Sequence, residues 1–284
     1  MSLARSFREL ERQESRVLGA LRCVDAATGA TIDSPLDVRS LDAAPARLLR
    51  NRSGLYVVRD GAALAAHAES FLAPPAQPAI GSLRLRLAIS DPTGAYLPRT
   101  LSLPLPRDPA AGPLLGPDSL FLPMTVPLYP APGAATGANW SLLRLSLRAQ
   151  DNGDALGGAL LRVRRNGVVI ARGLSDWRGE ALVAVVGVPV TTFSDDENAV
   201  VVSAIEVSLD AVFDPRPNRD SSGLRSTAAA LAAGRAAQTQ PAVDPDVLEA
   251  ELEIGAPALL RGSVVLSIAA RSSRHCRLLV AVPP

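Results

Sequence analysis

Between Leu145 and Pro189 the sequence reads LSLRAQDNGDALGGALLRVRRNGVVIARGLSDWRGEALVAVVGVP. Apolar residues alternate with polar ones, and the runs are cut by Asn152-Gly153, Gly157-Gly158, Asn166-Gly167 and Trp177-Arg178-Gly179. Side chains of a strand point to opposite faces in turn, so a period of two can hide its apolar set only against a sheet's inner face. Asn-Gly and similar pairs supply the left-handed conformations of tight hairpin turns. This stretch therefore predicts consecutive β-strands, and the rest of the chain has to be compatible with a β core.

Most of it is. From Arg16 the period is again two: Val17, Leu18, Leu21 and Val24 lead into Asp25–Ile32, read as strand, turn and strand, and Leu36 and Val38 continue it. Leu48-Leu49 and Gly54–Val58 follow, closed by Asp60-Gly61, a type I′ turn signal. Ser82–Ile89 alternates strictly, Asp91-Pro-Thr-Gly94 is a turn, and Leu101, Leu103 and Leu105 end the set. Ala62–Phe71 reads as one short helix or a wide loop. Ala199–Phe213 reads as a strand because of its β-branched residues. Leu248–Ile254, Leu259–Ile268 and Arg277–Val282 read as strands too.

The remaining segments have other signatures. Leu3, Phe7 and Leu10 are at helical spacing, which predicts a short amphipathic helix over 1–15 that must dock on something to persist. Residues 108–139 are rich in Pro, Gly and Ala and read as an extended linker anchored by Leu120, Phe121, Leu122, Val126, Leu128 and Tyr129. Residues 226–238 favour a helix but have little to bury, so the segment reads as a connector. The expected organisation is a helix at 1–15, a first sandwich at 16–107, the linker at 108–139, a second sandwich at 140–214, a loop or helical connector at 215–247, and C-terminal strands at 248–284. Those last strands either complete a sheet or pair with a neighbouring chain.

Composition narrows the function classes. All 29 basic residues are Arg, so chemistry that needs Lys is closed to this chain: Schiff bases, P-loop phosphate contacts and Lys–Asn isopeptide staples. A net charge of +1 and 4% aromatic residues argue against nucleic acid, because neither a basic field nor stacking platforms are available. Arg162, Arg164 and Arg165 form a local basic run balanced by nearby acids. The charged N-terminus has no apolar core of a signal peptide, and no run is long enough to cross a bilayer, which implies cytoplasmic synthesis.

Candidate sites are few. His67 and His275 are the only histidines, and Cys23 and Cys276 the only cysteines. Arg274-His275-Cys276 places an imidazole beside a thiol amid arginines, but neighbours on a strand point apart, which suits a Cys–His dyad poorly. Zinc would need three or four ligands that these residues do not supply. Asp151, Asp154 and the Asp195-Asp196-Glu197 run are the only candidates for a weak Ca²⁺ site, and solvated turn carboxylates are the expected reading. Trp140 and Trp177 are read as packing plugs rather than sugar contacts. No catalytic residue, metal or cofactor is expected.

The order strand, Asp151-Asn-Gly-Asp154, Ala155-Leu-Gly-Gly-Ala159, strand, Asn166-Gly167, strand, Ser175-Asp-Trp-Arg-Gly179, strand resembles carboxypeptidase regulatory-like (transthyretin-like) domains. In that family a D…G.PL.GA.V opening precedes a TD..G.. turn; here Asp154–Ala159 and Ser175-Asp176…Gly179 hold those places, with Ser175 for the usual Thr. Val24-Asp25…Thr28-Gly-Ala-Thr-Ile32 and Arg52-Ser-Gly-Leu-Tyr-Val57 are a weaker echo. The resemblance implies an all-β fold of two tandem transthyretin/Ig-like sandwiches. Asp91-Pro-Thr-Gly-Ala-Tyr-Leu-Pro-Arg99 and Val126-Pro-Leu-Tyr-Pro130 are also similar to components of phage-tail-like contractile particles. That similarity implies a non-enzymatic structural subunit whose partners are other protein subunits. The alternative is an adhesion module that binds a glycan or protein ligand through its loops.

Overall fold

A computed structural model of the chain describes residues 16–43, 46–70, 73–110, 112, 115–189, 204–215, 243–256 and 259–281. The expected N-terminal helix, most of the 215–247 connector and the Asp195-Asp196-Glu197 run lie outside the described residues. The chain is mostly β. Its elements in order are β1 (Gly19–Asp25), β2 (Asp37–Ser40), β3 (Arg47–Arg50), β4 (Tyr56–Asp60), α1 (Ala65–Glu69), β5 (Leu83–Ser90), β6 (Arg99–Leu105) and β7 (Met124–Leu128). Then come β8 (Ser141–Ala149), β9 (Leu160–Arg165), β10 (Val168–Leu174), β11 (Glu180–Val185), β12 (Ala204–Phe213), α2 (Pro245–Glu253), β13 (Leu260–Ala269) and β14 (Ser273–Val280).

The alternation works as expected where it is strictest. In β5, Leu85, Leu87 and Ile89 are buried while Arg84 is exposed and Arg86 and Ala88 are only partly covered. In β8, Leu143, Leu145, Leu147 and Ala149 face inward and Leu142, Arg144, Ser146 and Arg148 face out. The strands form four sheets, ordered β3-β4-β1-β7, β2-β5-β6, β11-β8-β14 and β10-β9-β12-β13. The first two share one apolar core, which includes Leu21, Val58, Leu87 and Leu103. The last two share a second, which includes Leu145, Val163, Val183 and Leu209.

The two sets of seven strands repeat one pairing scheme. β1 pairs antiparallel with β4 and parallel with β7, as β8 does with β11 and β14. β5 lies antiparallel between β2 and β6, as β12 lies between β9 and β13. Only the third strand departs, since β3 joins β4 whereas β10 joins β9.

The turns repeat at the level of single hydrogen bonds. Gly29 N donates to Asp25 O and Asp25 N to Ala30 O, matched by Gly153 N to Ala149 O and Ala149 N to Asp154 O. After β3, Asn51 Oδ1 accepts from the N–H groups of Ser53 and Leu55; after β10, Asp176 Oδ1 accepts from those of Arg178 and Glu180. Both are side-chain-capped turns closed by a left-handed glycine, Gly54 and Gly179, each at φ 76°.

Three expectations are corrected. Met124–Leu128 is not linker: β7 runs parallel to β1 at the sheet edge, the one place where Pro127 can sit without breaking a ladder. Asp60-Gly61 is not a hairpin turn, because Gly61 is extended (φ −164°) and leads into a 3₁₀ turn and α1. Leu248–Ile254 is not a strand: Pro245–Glu253 is helical, with the Asp244 side chain accepting from Asp246 N at the cap and Pro245 in the first turn. The run LEAELEI fits a period of two, but Leu248 and Leu252 also fit i,i+4, and the preceding Asp-Pro-Asp decides the outcome. The C-terminal strands complete the sheets of the same chain, β13 on β12 and β14 on β8.

Gly179 and Gly153 separate two costs of a side chain. At Gly153 a Cβ would meet nothing, whereas at Gly179 it would strike the Leu147 carbonyl oxygen. Gly153→Ala is expected to lose about 1 kcal/mol from the left-handed conformation alone. Gly179→Ala should lose about 3 kcal/mol or more in urea denaturation.

Candidate functional site

The loop between the fifth and sixth strands differs between the two sets. Asp91–Pro98 is a tight connection, in which Asp91 accepts from the N–H groups of Thr93, Ala95 and Tyr96. Burial pushes the Asp91 carboxyl up, but these hydrogen bonds outweigh it and hold its pKa below the ordinary value. At the equivalent place the second set carries the long segment that includes α2. This insertion returns to cover the outer face of the sheet containing β9 and β12.

A third apolar cluster forms beneath it. Leu160, Leu174 and Val212 come from the outer face of that sheet, Leu97 and Tyr129 from the first set of strands and its connection, and Val243, Leu248 and Leu259 from the insertion. Burial pushes the Tyr129 hydroxyl up to about 12. Val243 O accepts a hydrogen bond from Thr100 N of β6 at 2.9 Å, so the insertion also docks on the first set through its backbone.

Arg99 sits at this junction with 1% exposure. Its Nη2 donates to Asp246 Oδ2 at 2.7 Å and Asp244 Oδ1 at 3.3 Å, and its Nη1 to Pro127 O at 3.0 Å. The guanidinium therefore ties β6, β7 and the cap of α2 together. Burial, outweighing the attraction of Arg99, pushes the Asp244 carboxyl above its ordinary range.

A second polar group lies on the same outer face. The register places Arg172 of β10 beside Arg162 of β9, Arg162 beside Asp210 of β12, and Asp210 beside Ser263 of β13. Glu249 of α2 accepts from Arg172 Nε at 3.0 and 3.2 Å, with Arg172 Nη2 at 2.9 Å from its Oε1. Asp210 lies 3.1 Å from Arg164 Nε and accepts from Ser263 Oγ at 3.0 Å.

The residues singled out in the sequence are dispersed. His67 is buried on α1, its Nδ1 without a partner among the described residues. His275 is exposed while Cys276 packs against the second core, so the adjacent pair points to opposite faces of β14. Cys23 lies in the first core, and burial pushes its thiol up to about 11. Both cysteines are free. Asp151 is exposed, and Asp154 accepts from Asn152 Nδ2. Among the described residues no group of three or more His, Cys, Asp and Glu could hold a metal ion.

Arg165 is exposed, apart from the buried Arg162. The Arg178 guanidinium lies 5.7 Å from the Trp177 ring centroid and pairs with Asp176 at 2.8 Å. Trp140 packs over Gly137, where a Cβ would come within 2.6 Å of its ring. Ser175 Oγ accepts from Ala159 N and donates to Leu156 O, which binds the Gly-Gly loop to the capped turn.

Sequence reasoning passed over Arg99, Asp244, Asp246 and Glu249. One signal was present: Arg99 shares the inward phase of Leu101, Leu103 and Leu105, where a charge needs a partner. No family model matches the chain, and neither the curated proteins nor the solved structures give a match.

Removing one partner of a buried ion pair strands the other. Arg99→Ala is expected to cost about 3 kcal/mol, read by urea denaturation, and to expose 243–256 to limited proteolysis. The Cys23 thiol, barely ionised at pH 8 given its raised pKa, should be alkylated only after denaturation, as peptide mapping would show.

Proposed function

We propose that this chain is a non-enzymatic structural subunit that assembles with other proteins, in a phage-tail-like contractile particle. Its body is read as two tandem transthyretin-like sandwiches, each corresponding to one seven-strand set. The repeated pairing scheme and the paired turns at Asn51 and Asp176 support that reading.

The observation that carries the proposal is the insertion holding α2. It joins the two strand sets through the Leu97–Leu160–Leu248 cluster and the Arg99 ion pairs, and a covered seam of this kind resists hinge motion. Two strand sets held stiffly together suit a part that transmits position within an assembly. The free sheet edges suit it as well. Among the described residues β3, β7, β10 and β13 end their sheets, and a neighbouring chain could extend such edges by strand addition. The separation of His275 from Cys276 across β14 supports a role without covalent catalysis.

The test is isolation of intact particles from the native host, followed by electron cryo-microscopy and mass spectrometry. The chain should be present at fixed stoichiometry, with density for both strand sets in one relative orientation. Recovery of the chain only as a free monomer would sink the idea.

A further inference from the structure

The polar group on the outer face leaves the Nε groups of two arginines, Arg162 and Arg164, without hydrogen-bond acceptors among the described residues. Arg162 is 7% exposed, and its Nε is buried with no hydrogen-bond partner among the described residues. Its terminal nitrogens reach only to 3.7 Å from Asp210 and 4.0 Å from Glu249, too far for hydrogen bonds. Both carboxylates have closer partners, Asp210 in Arg164 and Glu249 in Arg172. A guanidinium carries five donors, and leaving the Nε–H of Arg162 unmet out of water is costly.

Arg162 lines a cavity of about 380 Å³ between α2 and the sheet. Arg164 and the exposed Arg261 line it too, against Asp210 and the exposed Glu253 as the acidic groups. Three arginines against two carboxylates leave the walls net positive. Ala211, Val212 and Leu252 supply an apolar wall, with Gly262 and Ser263 beside it. The volume lies within the range of small-molecule sites, and the planar fork of Arg matches a two-oxygen acceptor.

We propose that this cavity binds an organic carboxylate on a short aliphatic body, its oxygens taken by Arg162 and Arg261 and its carbons set against Val212 and Leu252. The site lies partly on β13, one of the edge strands named above, but it uses side chains on the outer face of the sheet and not the backbone edge of the strand, so the two can fail separately. A free acid and a glutamate side chain from another protein present the same chemistry. The apolar wall favours both over a bare inorganic anion.

Arginine Nε–Hε NMR of the full chain tests this, with butyrate, N-acetyl-glutamate amide and inorganic phosphate as probes. Butyrate should shift the Arg162 signal saturably, and Arg261→Gln, at an exposed position, should weaken binding about tenfold while leaving the fold intact. Arg162→Met should abolish the butyrate-induced shift of the Arg261 signal without loss of stability, because an apolar residue suits a buried position as well as an unpaired charge. Binding of the blocked glutamate as tightly as butyrate would point to a protein-borne acid, and weaker binding to a free one; both support the site. Tighter binding of phosphate than of either acid would overturn the carboxylate assignment. No saturable shift with any probe would overturn the site, leaving ordered water as the partner of Arg162.

Discussion

A guanidinium with 1% exposure cannot stand unpaired, and the arrangement of the chain around Arg99 follows from that. Arg99 opens β6 in the inward phase of a strand whose other inward residues are leucines. Its position is tenable only because the insertion brings Asp244 and Asp246 back to it from a segment distant in sequence. The same contact caps α2, since Asp244 also accepts from Asp246 N. One residue thus couples the start of a strand in the first set, the edge strand β7 and the start of a helix inserted into the second. Losing it would separate elements that no other charge joins as directly.

The repeat explains why the insertion lies where it does. With the first set as reference, every pairing of the second is reproduced except that of the third strand, and the connection from the fifth to the sixth strand is replaced. In the first set that connection is closed by the carboxylate of Asp91. A turn at the sheet's end tolerates extra chain because it adds no strand and breaks no ladder. The outer face of β9 and β12 lies directly beside it, so a returning segment meets that face first.

Much of the strand content was legible in the sequence because the inner faces follow a strict period of two, as in β5 and β8. The turn at Asp25, whose Oδ1 accepts from the N–H groups of Ala27 and Thr28, and the turn at Asp176 were legible for a local reason: side chain, backbone and glycine act within five residues. β7 was not, because Pro127 and the prolines flanking the strand read as linker and its pairing with β1 is long-range and parallel. α2 was not, because LEAELEI satisfies two periods at once and only the cap separates them. The junction at Arg99 escaped for a third reason. Its partners are set by tertiary return of the chain, and no local pattern in DPTGAYLPR announces Asp244 or Asp246.

The outer face of the second set shows what such a return demands. Polar residues outside a sheet normally face water, and Arg162, Arg164, Arg172 and Asp210 occupy outward positions by register. Once α2 packs on that face, Arg162 is buried while Arg164, Arg172 and Asp210 stay partly exposed, and the buried charge needs a partner. The helix supplies Glu249 for Arg172, and the sheet supplies Asp210 for Arg164. Two carboxylates do not serve three guanidinium groups at hydrogen-bonding distance. Covering the face therefore buries one guanidinium of a solvated charge pattern and leaves two Nε donors without acceptors among the described residues, beside a cavity open to solvent at Arg261.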